Sequence, residues 1–336
     1  MEPVTHLMTG ACLARAGCNR KAAYATLAMV LAAEAPDLDT LWGLRGPVAG
    51  FEHHRGITHT FLGLPFEALI VLGAVWLFHR WRLRRAVAAP VAAPRPGPPT
   101  DEVFVRPLTA APVRWGLLYG FILIALLSHI LLDFTNNYGI RPFFPFNAHW
   151  YADSIVFIFD PCIFAALLIG LIAPALFGLV GSEIGARKAA FRGRGWAIAA
   201  LVAVVCFWGW RQIEHDDAVR LAYSAAYGPE SGTGAEVLRV TASPDMLDVF
   251  RWHVVVETPG FSQLSTIDTW DGTVDTNPEH DMLYKPQVTP AVAAARRSWL
   301  GRVYLDWSSW PVVADMGPAG SLPDGSDPQG LTADRF

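Results

Sequence analysis

Within His53-His54-Arg55-Gly56-Ile57-Thr58-His59-Thr60, three histidines fall in seven residues, directly ahead of an apolar run from Phe61 to Phe78. A second polar cluster, Ser128-His129-Ile130-Leu131-Leu132-Asp133, ends another apolar run, and a third, Pro36-Asp37-Leu38-Asp39, ends the first. Neutral imidazoles mixed with carboxylates are a ligand set for Zn²⁺, or for Mn²⁺ and Fe²⁺. His129 and Asp133 are four apart, so on a helix they share a face with Cβ atoms roughly 5–6 Å apart. That spacing suits two ligands of one metal, a ligand with the carboxylate that orients it, or a plain His–Asp hydrogen bond between helices. Inside a membrane segment ionisable groups are costly and usually functional.

His54 and His59 are five apart, a spacing that does not share one helix face. Gly56 breaks the geometry between them, so one histidine can approach from a loop and the other from a helix start. The alternative is a solvated His-rich loop, and His53 is a neighbour rather than a ligand. Arg55 suits a phosphate or carboxylate by its bidentate fork, or it neutralises Asp37 or Asp39. On an extended segment Asp37 and Asp39 point to opposite sides. One then binds metal, while Asp39 orients a histidine or serves as general base. His6, in a short apolar stretch, is either packing or a further ligand. His149, Asp153 and Asp160 repeat the pattern at a second rank; His79, His215, His253 and His280 read as surface residues. The metal set is thus His6, Asp37, His54, His59, His129 and Asp133, with Asp39 and Arg55 as catalytic groups. So many candidates point to two or more ions, which would activate water for displacement at phosphorus.

The elements that must position these residues are apolar. Of 336 residues, 52% are hydrophobic and 17% charged, against about 25% charged in soluble domains; mean hydropathy is +0.30. A net charge of -4 argues against a nucleic-acid partner. Cys12, Cys18, Cys162 and Cys206 show no CxxC spacing and read as packing residues. The N-terminus lacks a cleavable signal pattern. Residues 4–16 read as a helix too short to span, stopped near Gly17, and 21–35 as a second helix ended by Pro36. Spanning helices are expected at Phe61–Phe78, with Thr58 or Thr60 as cap, and at Trp115–Asp133, Ile155–Leu179 and Trp196–Trp210. From about Ile213 the chain turns polar. Arg251–Glu257 and Gly301–Trp307 read as strands, and Ala291–Leu300 as a helix.

The fold class expected is mainly α: a multipass transmembrane helical bundle with a small C-terminal α+β soluble domain. The bundle occupies 1–213, with a Pro-rich cytoplasmic linker at about 86–112; an extracytoplasmic α+β domain takes 214–314, and a loose tail 315–336. Arginines crowd the 79–114 segment, and Arg187, Lys188, Arg192 and Arg194 crowd the 181–195 loop. The positive-inside rule makes these loops cytoplasmic. Asp37, Asp39, His54, His59, His129 and Asp133 then all fall on the outer side, with the C-terminal domain.

With these residues in hand, the chain resembles the YdjM-like family of inner-membrane metal-dependent hydrolases. The resemblance rests on Thr5-His6, Pro36-Asp37-Leu38-Asp39, His54-Arg55-Gly56-Ile57-Thr58-His59-Thr60, Ser128 to Asp133, Trp150 with Asp153, and Asp160-Pro161. It covers roughly residues 1–215. Thr60 departs from the serine usual in the family. The resemblance implies a multipass helical membrane protein with hydrolase activity, and a pattern similar to that of zinc-dependent phospholipase C enzymes. A metal-dependent hydrolase of a phosphoester or lipid at the outer leaflet is the leading reading. A metal ion transporter and a non-catalytic membrane scaffold with a structural metal compete with it. No His-Glu-x-x-His or Gly-x-Ser-x-Gly motif supports a protease.

Overall fold

The computed structural model describes residues 1–88, 111–183, 193–228, 234–276 and 281–315. Most of the Pro-rich linker and of the basic loop, His280 and nearly all of the tail lie outside the described residues. The described protein is mostly helical, with one antiparallel sheet toward the C-terminus.

Helix α1 (Pro3–Leu13) starts with proline at its first position, where the missing N–H costs nothing. The Glu2 carboxylate accepts from the Thr5 N–H at 3.0 Å. The helical path does not stop at Gly17. It bends there, within Ala14–Cys18, and continues into the single turn α2 (Asn19–Lys21). Helix α3 (Ala25–Glu34) ends just before Pro36 as expected. The next segment, Ala35–Arg45, is a 3₁₀ helix rather than the extended segment expected. The same proline that ends one helix is well suited to begin another, since its fixed φ is already helical. Helix α4 (Pro47–His53) and a 3₁₀ turn (Ile57–His59) lead to α5 (Leu64–Ala88). Then come α6 (Trp115–Thr135), α7 (Pro161–Glu183) and α8 (Arg194–Ser224).

Among the described residues, three helices are long and apolar enough to cross a membrane: Leu64–Arg85, Trp115–Thr135 and Arg194–Ser224. The span expected at Ile155–Leu179 begins only at Pro161, and its apolar part, Pro161–Phe177, is shorter. Asp160 sets that start by accepting from Cys162 and Ile163 N–H at 2.9 and 3.1 Å.

Small side chains let α1, α3 and α6 approach closely. Ala28, Ala32 and Ala33 pack with Leu118, Ile122, Ala125 and Leu126 in one core. A second core joins Met8 and Cys12 of α1 to Leu132, Ile163, Leu167, Ala197 and Val204. At Gly10 a Cβ would lie 2.6 Å from the Met29 carbonyl oxygen and 2.8 Å from the Ala33 Cβ.

Helix α8 runs unbroken through residue 213. Its end buries Ala218 and Ala222 against Ala242, Trp252, Val254, Val256 and Ile267 of the sheet. Arg211 is buried there, donating to the Ile155 carbonyl at 2.9 Å and to that of Val249, with its guanidinium 4.2 Å over the Trp252 ring. Strands β1 (Arg239–Pro244), β2 (Arg251–Glu257), β3 (Phe261–Asp268) and β4 (Thr273–Asp275) follow in spatial order, and β5 (Met282–Tyr284) pairs with β3.

Helices α9 (Pro290–Arg297) and α10 (Trp299–Trp307) follow, so Gly301–Trp307 is helical rather than the strand expected. Its apolar residues fit either period, and the Ser298 hydroxyl decides by accepting from the Gly301 N–H at 3.0 Å, an N-cap. Helix α10 lies on α4. Trp307 meets Phe51 with ring centroids 5.5 Å apart, and Trp299 donates to Glu52 at 3.0 Å. Asp306 pairs with the buried Arg141 at 2.7 Å.

Gly10→Ala should lower the thermal midpoint of the detergent-solubilised protein, since overpacking costs about 1–3 kcal/mol. Gly73→Ala, where nothing lies within 4 Å of the new Cβ, should leave it unchanged or raise it.

Candidate metal centre

The motif loop is shaped by its backbone. Arg55 adopts a left-handed conformation (φ 53°), which lets its N–H donate to Asp39 Oδ2 at 2.8 Å. At Gly63 a Cβ would lie 2.1 Å from the Ile57 carbonyl oxygen, so only glycine permits the turn from the histidine segment into α5. Thr60 accepts from the Gly63 N–H at 2.9 Å, closing the turn that leads into α5. Thr58 instead donates to Asp39 Oδ2 at 2.8 Å.

These contacts set the tautomer of each central histidine. His129 Nδ1 lies 2.7 Å from the Ala33 carbonyl oxygen. A carbonyl only accepts, so Nδ1 carries the hydrogen and the neutral ring presents a lone pair at Nε2. His59 Nδ1 faces Thr58 Oγ1 at 3.1 Å and Asp39 Oδ2 at 3.3 Å. The Thr58 hydroxyl hydrogen is already given to Asp39, so His59 Nδ1 donates as well. Both Nε2 atoms therefore aim at the same space, 3.1 Å from each other. Such carboxylate and carbonyl partners are the usual orienting groups of metal-binding histidines.

Two carboxylates complete the set. Asp37 Oδ1 lies 3.4 Å from His59 Nε2 and 3.7 Å from His129 Nε2. Asp133 Oδ2 is 3.4 Å from each of the same nitrogens. Four donors around one ion at about 2.0–2.1 Å in a tetrahedron are about 3.3–3.4 Å apart. The separations of 3.1–3.7 Å match that frame. One ligand atom from each of Asp37, His59, His129 and Asp133 lies within 4.8 Å of the other three. The residues present thus fit a divalent cation. Asp133 Oδ2 is buried and has no hydrogen-bond partner, as an atom reserved for a cation would be.

The electrostatics agree. Burial pulls the His59 imidazole down, but the Asp133, Asp37 and Asp39 carboxylates raise it further, to about 10. Burial pushes Asp37 up, yet its bond to His59 and the charges of His129 and His59 hold it at about 2. Asp39 is likewise held well below the usual carboxylate range, against burial, by His54 and His59. The pocket thus takes up a positive charge, by a proton or by a metal.

Other predicted residues sit around this core. His6 is fully buried, stacked on His129 at 3.8 Å, with Nε2 3.4 Å from Asp133 Oδ1 and neither nitrogen hydrogen-bonded. The Arg55 guanidinium meets Asp133 Oδ1 at 3.0 Å rather than Asp37 or Asp39. It also donates to the Gly139 carbonyl at 2.6 Å and lies 4.4 Å over the Tyr138 ring. The Met1 amino group donates to Asp133 too, and burial pushes its pKa down. His54 stands outside the four-donor group, with Nδ1 2.9 Å from Asp39 Oδ1. His149 is exposed against Tyr151, Asp153 is half-buried, and Asp160 caps α7; none of the three belongs to a donor group.

Sequence reasoning missed Asn136, whose side chain donates to Asp133 Oδ1 at 3.2 Å and accepts from the Tyr138 and Gly139 N–H groups. An asparagine one turn past Asp133, at a helix end, was the available signal. Glu34 and Glu67 were missed too; each has a buried Oε2 with no hydrogen-bond partner. Burial, then Asp37 and Glu2, push Glu34 up to about 7.

A family model described as YdjM inner membrane protein matches residues 1–218. The chain belongs to that family. The YdjM match takes in every donor above and ends within α8, before the sheet. The Bacillus subtilis (strain 168) protein named "Uncharacterized protein YfhP" is 26% identical over 176 residues, 50% of this chain and 44% of YfhP. This chain thus spans under half of that relative's length. No solved structure matches.

A metal needs neutral His59, whereas the metal-free pocket holds it protonated up to about pH 10. Metal loading should therefore release about one proton per ion near neutral pH, and log affinity should climb by about one per pH unit. Calorimetry in buffers of different ionisation enthalpy measures this; zero proton release would contradict the placement. The metal-free fold should draw stability from the charged ring below about pH 6.5 and lose it as pH rises through about 10.

Proposed function

We propose that this YdjM-family protein is a membrane-bound metal-dependent hydrolase of a phosphoester or lipid at the outer face of the inner membrane. The observation that supports it is the convergence of two imidazole nitrogens and two carboxylates from three chain segments, ringed by further ionisable groups. His6 begins α1, Asp37 follows α3, His59 precedes α5, and His129 and Asp133 end α6. All lie at one end of the helices, which in this reading form a multipass bundle. By the positive-inside rule that end is extracytoplasmic and shares its side with the α+β domain of 214–314. A site at a membrane face admits a lipid headgroup sideways.

Asp37, His59, His129 and Asp133 would hold the ion, with zinc the metal suited to two imidazoles and two carboxylates. When bound, a metal at this centre would supply Lewis acidity toward a water molecule and a phosphoryl or carbonyl oxygen wherever a coordination position stays open to them. Asp39, Thr58 and the Ala33 carbonyl hold the protons at both Nδ1 atoms, keeping the rings oriented. Arg55 and Asn136 hold Asp133 in place. Burial and the Asp37 and Glu2 carboxylates raise Glu34 to about 7, a value that lets a carboxylate accept a proton at neutral pH. Among 1–218, a transporter fits less well, because the donors lie at helix ends rather than at the bilayer midplane.

A second reading, a scaffold with a structural metal, has one observation in its favour: four protein donors close a tetrahedron, as structural zinc sites do. One screen separates the two. Purified protein should contain zinc or manganese and hydrolyse phosphodiesters or lipids. His59→Ala and His129→Ala should each lose the metal and at least about 10²-fold in activity, as removal of one principal electrostatic group does elsewhere. Bound metal with no hydrolysis across the screen favours the scaffold; activity in metal-free protein ends both readings.

A further inference from the structure

We propose that Asp37, Asp39 and His54 form a second divalent-cation position, sharing Asp37 with the buried four-donor position, and that this outer position is the one left open to water and substrate. Its role in turnover rests on the hydrolase reading; its existence does not.

One ligand atom from each of Asp37, Asp39 and His54 lies within 4.8 Å of the other two. The two oxygens of Asp39 do different work. Oδ2 is taken by the Arg55 N–H and the Thr58 hydroxyl, which fix the carboxylate plane. Oδ1 faces His54 Nδ1 at 2.9 Å. Neighbouring donors of an octahedral ion with bonds of about 2.0–2.1 Å are about 2.8–3.0 Å apart. Oδ1 and the imidazole are therefore already spaced as adjacent ligands, and an ion between them replaces one hydrogen bond with two coordinate bonds.

Exposure separates the two positions. The side chains of His59, His129 and Asp133 are 0% exposed; at the outer position Asp39 is 4% exposed, the shared Asp37 14% and His54 23%, so His54 is what opens it. Four protein donors leave the inner position no vacancy in a tetrahedron, whereas three donors leave the outer one the open coordination that catalytic sites keep. The vacancy has access. A cleft of about 200 Å³ is lined by Thr40, Pro47, Gly50, Phe51 and His54. His54 thus belongs both to the outer position and to the lining of this cleft.

Three carboxylates, Asp37, Asp39 and Asp133, face the Arg55 guanidinium and the Met1 amino group. Two divalent ions would leave the centre positive, which favours hydroxide and an anionic substrate oxygen. The donors also differ in character. The inner position has two imidazoles, the borderline set that zinc prefers; the outer has two carboxylates and one imidazole, which suits a harder ion such as Mn²⁺.

The test uses full-length protein in detergent, stripped with a chelator and reloaded with Zn²⁺ or Mn²⁺. Wild type should bind two ions per chain, and its Mn²⁺-loaded spin-resonance spectrum should show a coupled pair. His54→Ala should bind one ion, show an uncoupled Mn²⁺ signal and shift the thermal midpoint by only a few degrees. Hydrolysis should fall at least about 100-fold if the proposed activity holds. Saturation of wild type at one ion, an uncoupled wild-type spectrum, or two ions retained by His54→Ala would overturn the proposal. If His54→Ala does not fold, the wild-type stoichiometry and coupling still decide. A coupled pair in a protein that hydrolyses nothing would leave this site standing and remove the enzyme reading.

Discussion

A carboxylate with no exposed surface, two turns or less from the end of a highly apolar helix, cannot remain there uncompensated. Asp133 is that group, and much of the N-terminal architecture answers its charge. Desolvating an ion costs several kcal/mol even after relaxation, so counter-groups must come from wherever the fold can supply them. Arg55 reaches it from the motif loop, His59 and His129 from two other directions, and Asn136 from one turn further on. The helices are short or small-faced where they need to be, so that α1 and α3 bring His6 and Asp37 to the same end as Asp133. Close packing at Gly10 and the alanines of α3 and the charge balance at Asp133 are thus two aspects of one arrangement: backbones that approach closely bring polar residues at their ends together.

Local periodicity made part of this readable from residues alone. His129 and Asp133 share a helix face because four residues nearly complete a turn, and a long apolar helix has little freedom to do otherwise. Helix α3 ends beside Pro36, but not by the steric route anticipated: Ala35 keeps a helical backbone and the chain runs on as a 3₁₀ helix. The type of each ligand candidate was also plain, since imidazoles and carboxylates are rare in so apolar a chain. What residue spacing did not contain was the path between the clusters. Asp37 and Asp39 lie on a 3₁₀ turn, so they flank the two nitrogens of His59 instead of facing apart. Arg55 takes a left-handed backbone, which sends its N–H to Asp39 and its side chain to Asp133. Neither outcome is encoded within the motif; both depend on segments far away in the chain.

The C-terminal region shows the same limit. Strand β2 was readable from its run of valines beside Trp252, though only its first half alternates in burial, whereas residues 301–307 satisfy both a strand and a helix period. A single hydroxyl, Ser298, breaks the tie by capping α10, and that choice matters only because α10 has α4 to lie on. The chain also passes from apolar to polar near residue 213 without a break in α8. Composition there reports the surroundings of the helix, not its end. Arg211 sits at this change, its charge spread over the Trp252 ring and satisfied by carbonyls from both sides.

Helix α10 lies beyond the stretch shared with the YdjM family, yet it rests on α4, the helix that delivers His53, His54 and Arg55. Trp307 touches both Phe51 and Tyr138, and Tyr138 in turn covers the Arg55 guanidinium. The lip of the candidate cation pocket is thereby built from residues inside and outside the stretch that the family model matches. Substitutions in α10 can therefore retune the pocket while every candidate ligand stays the same.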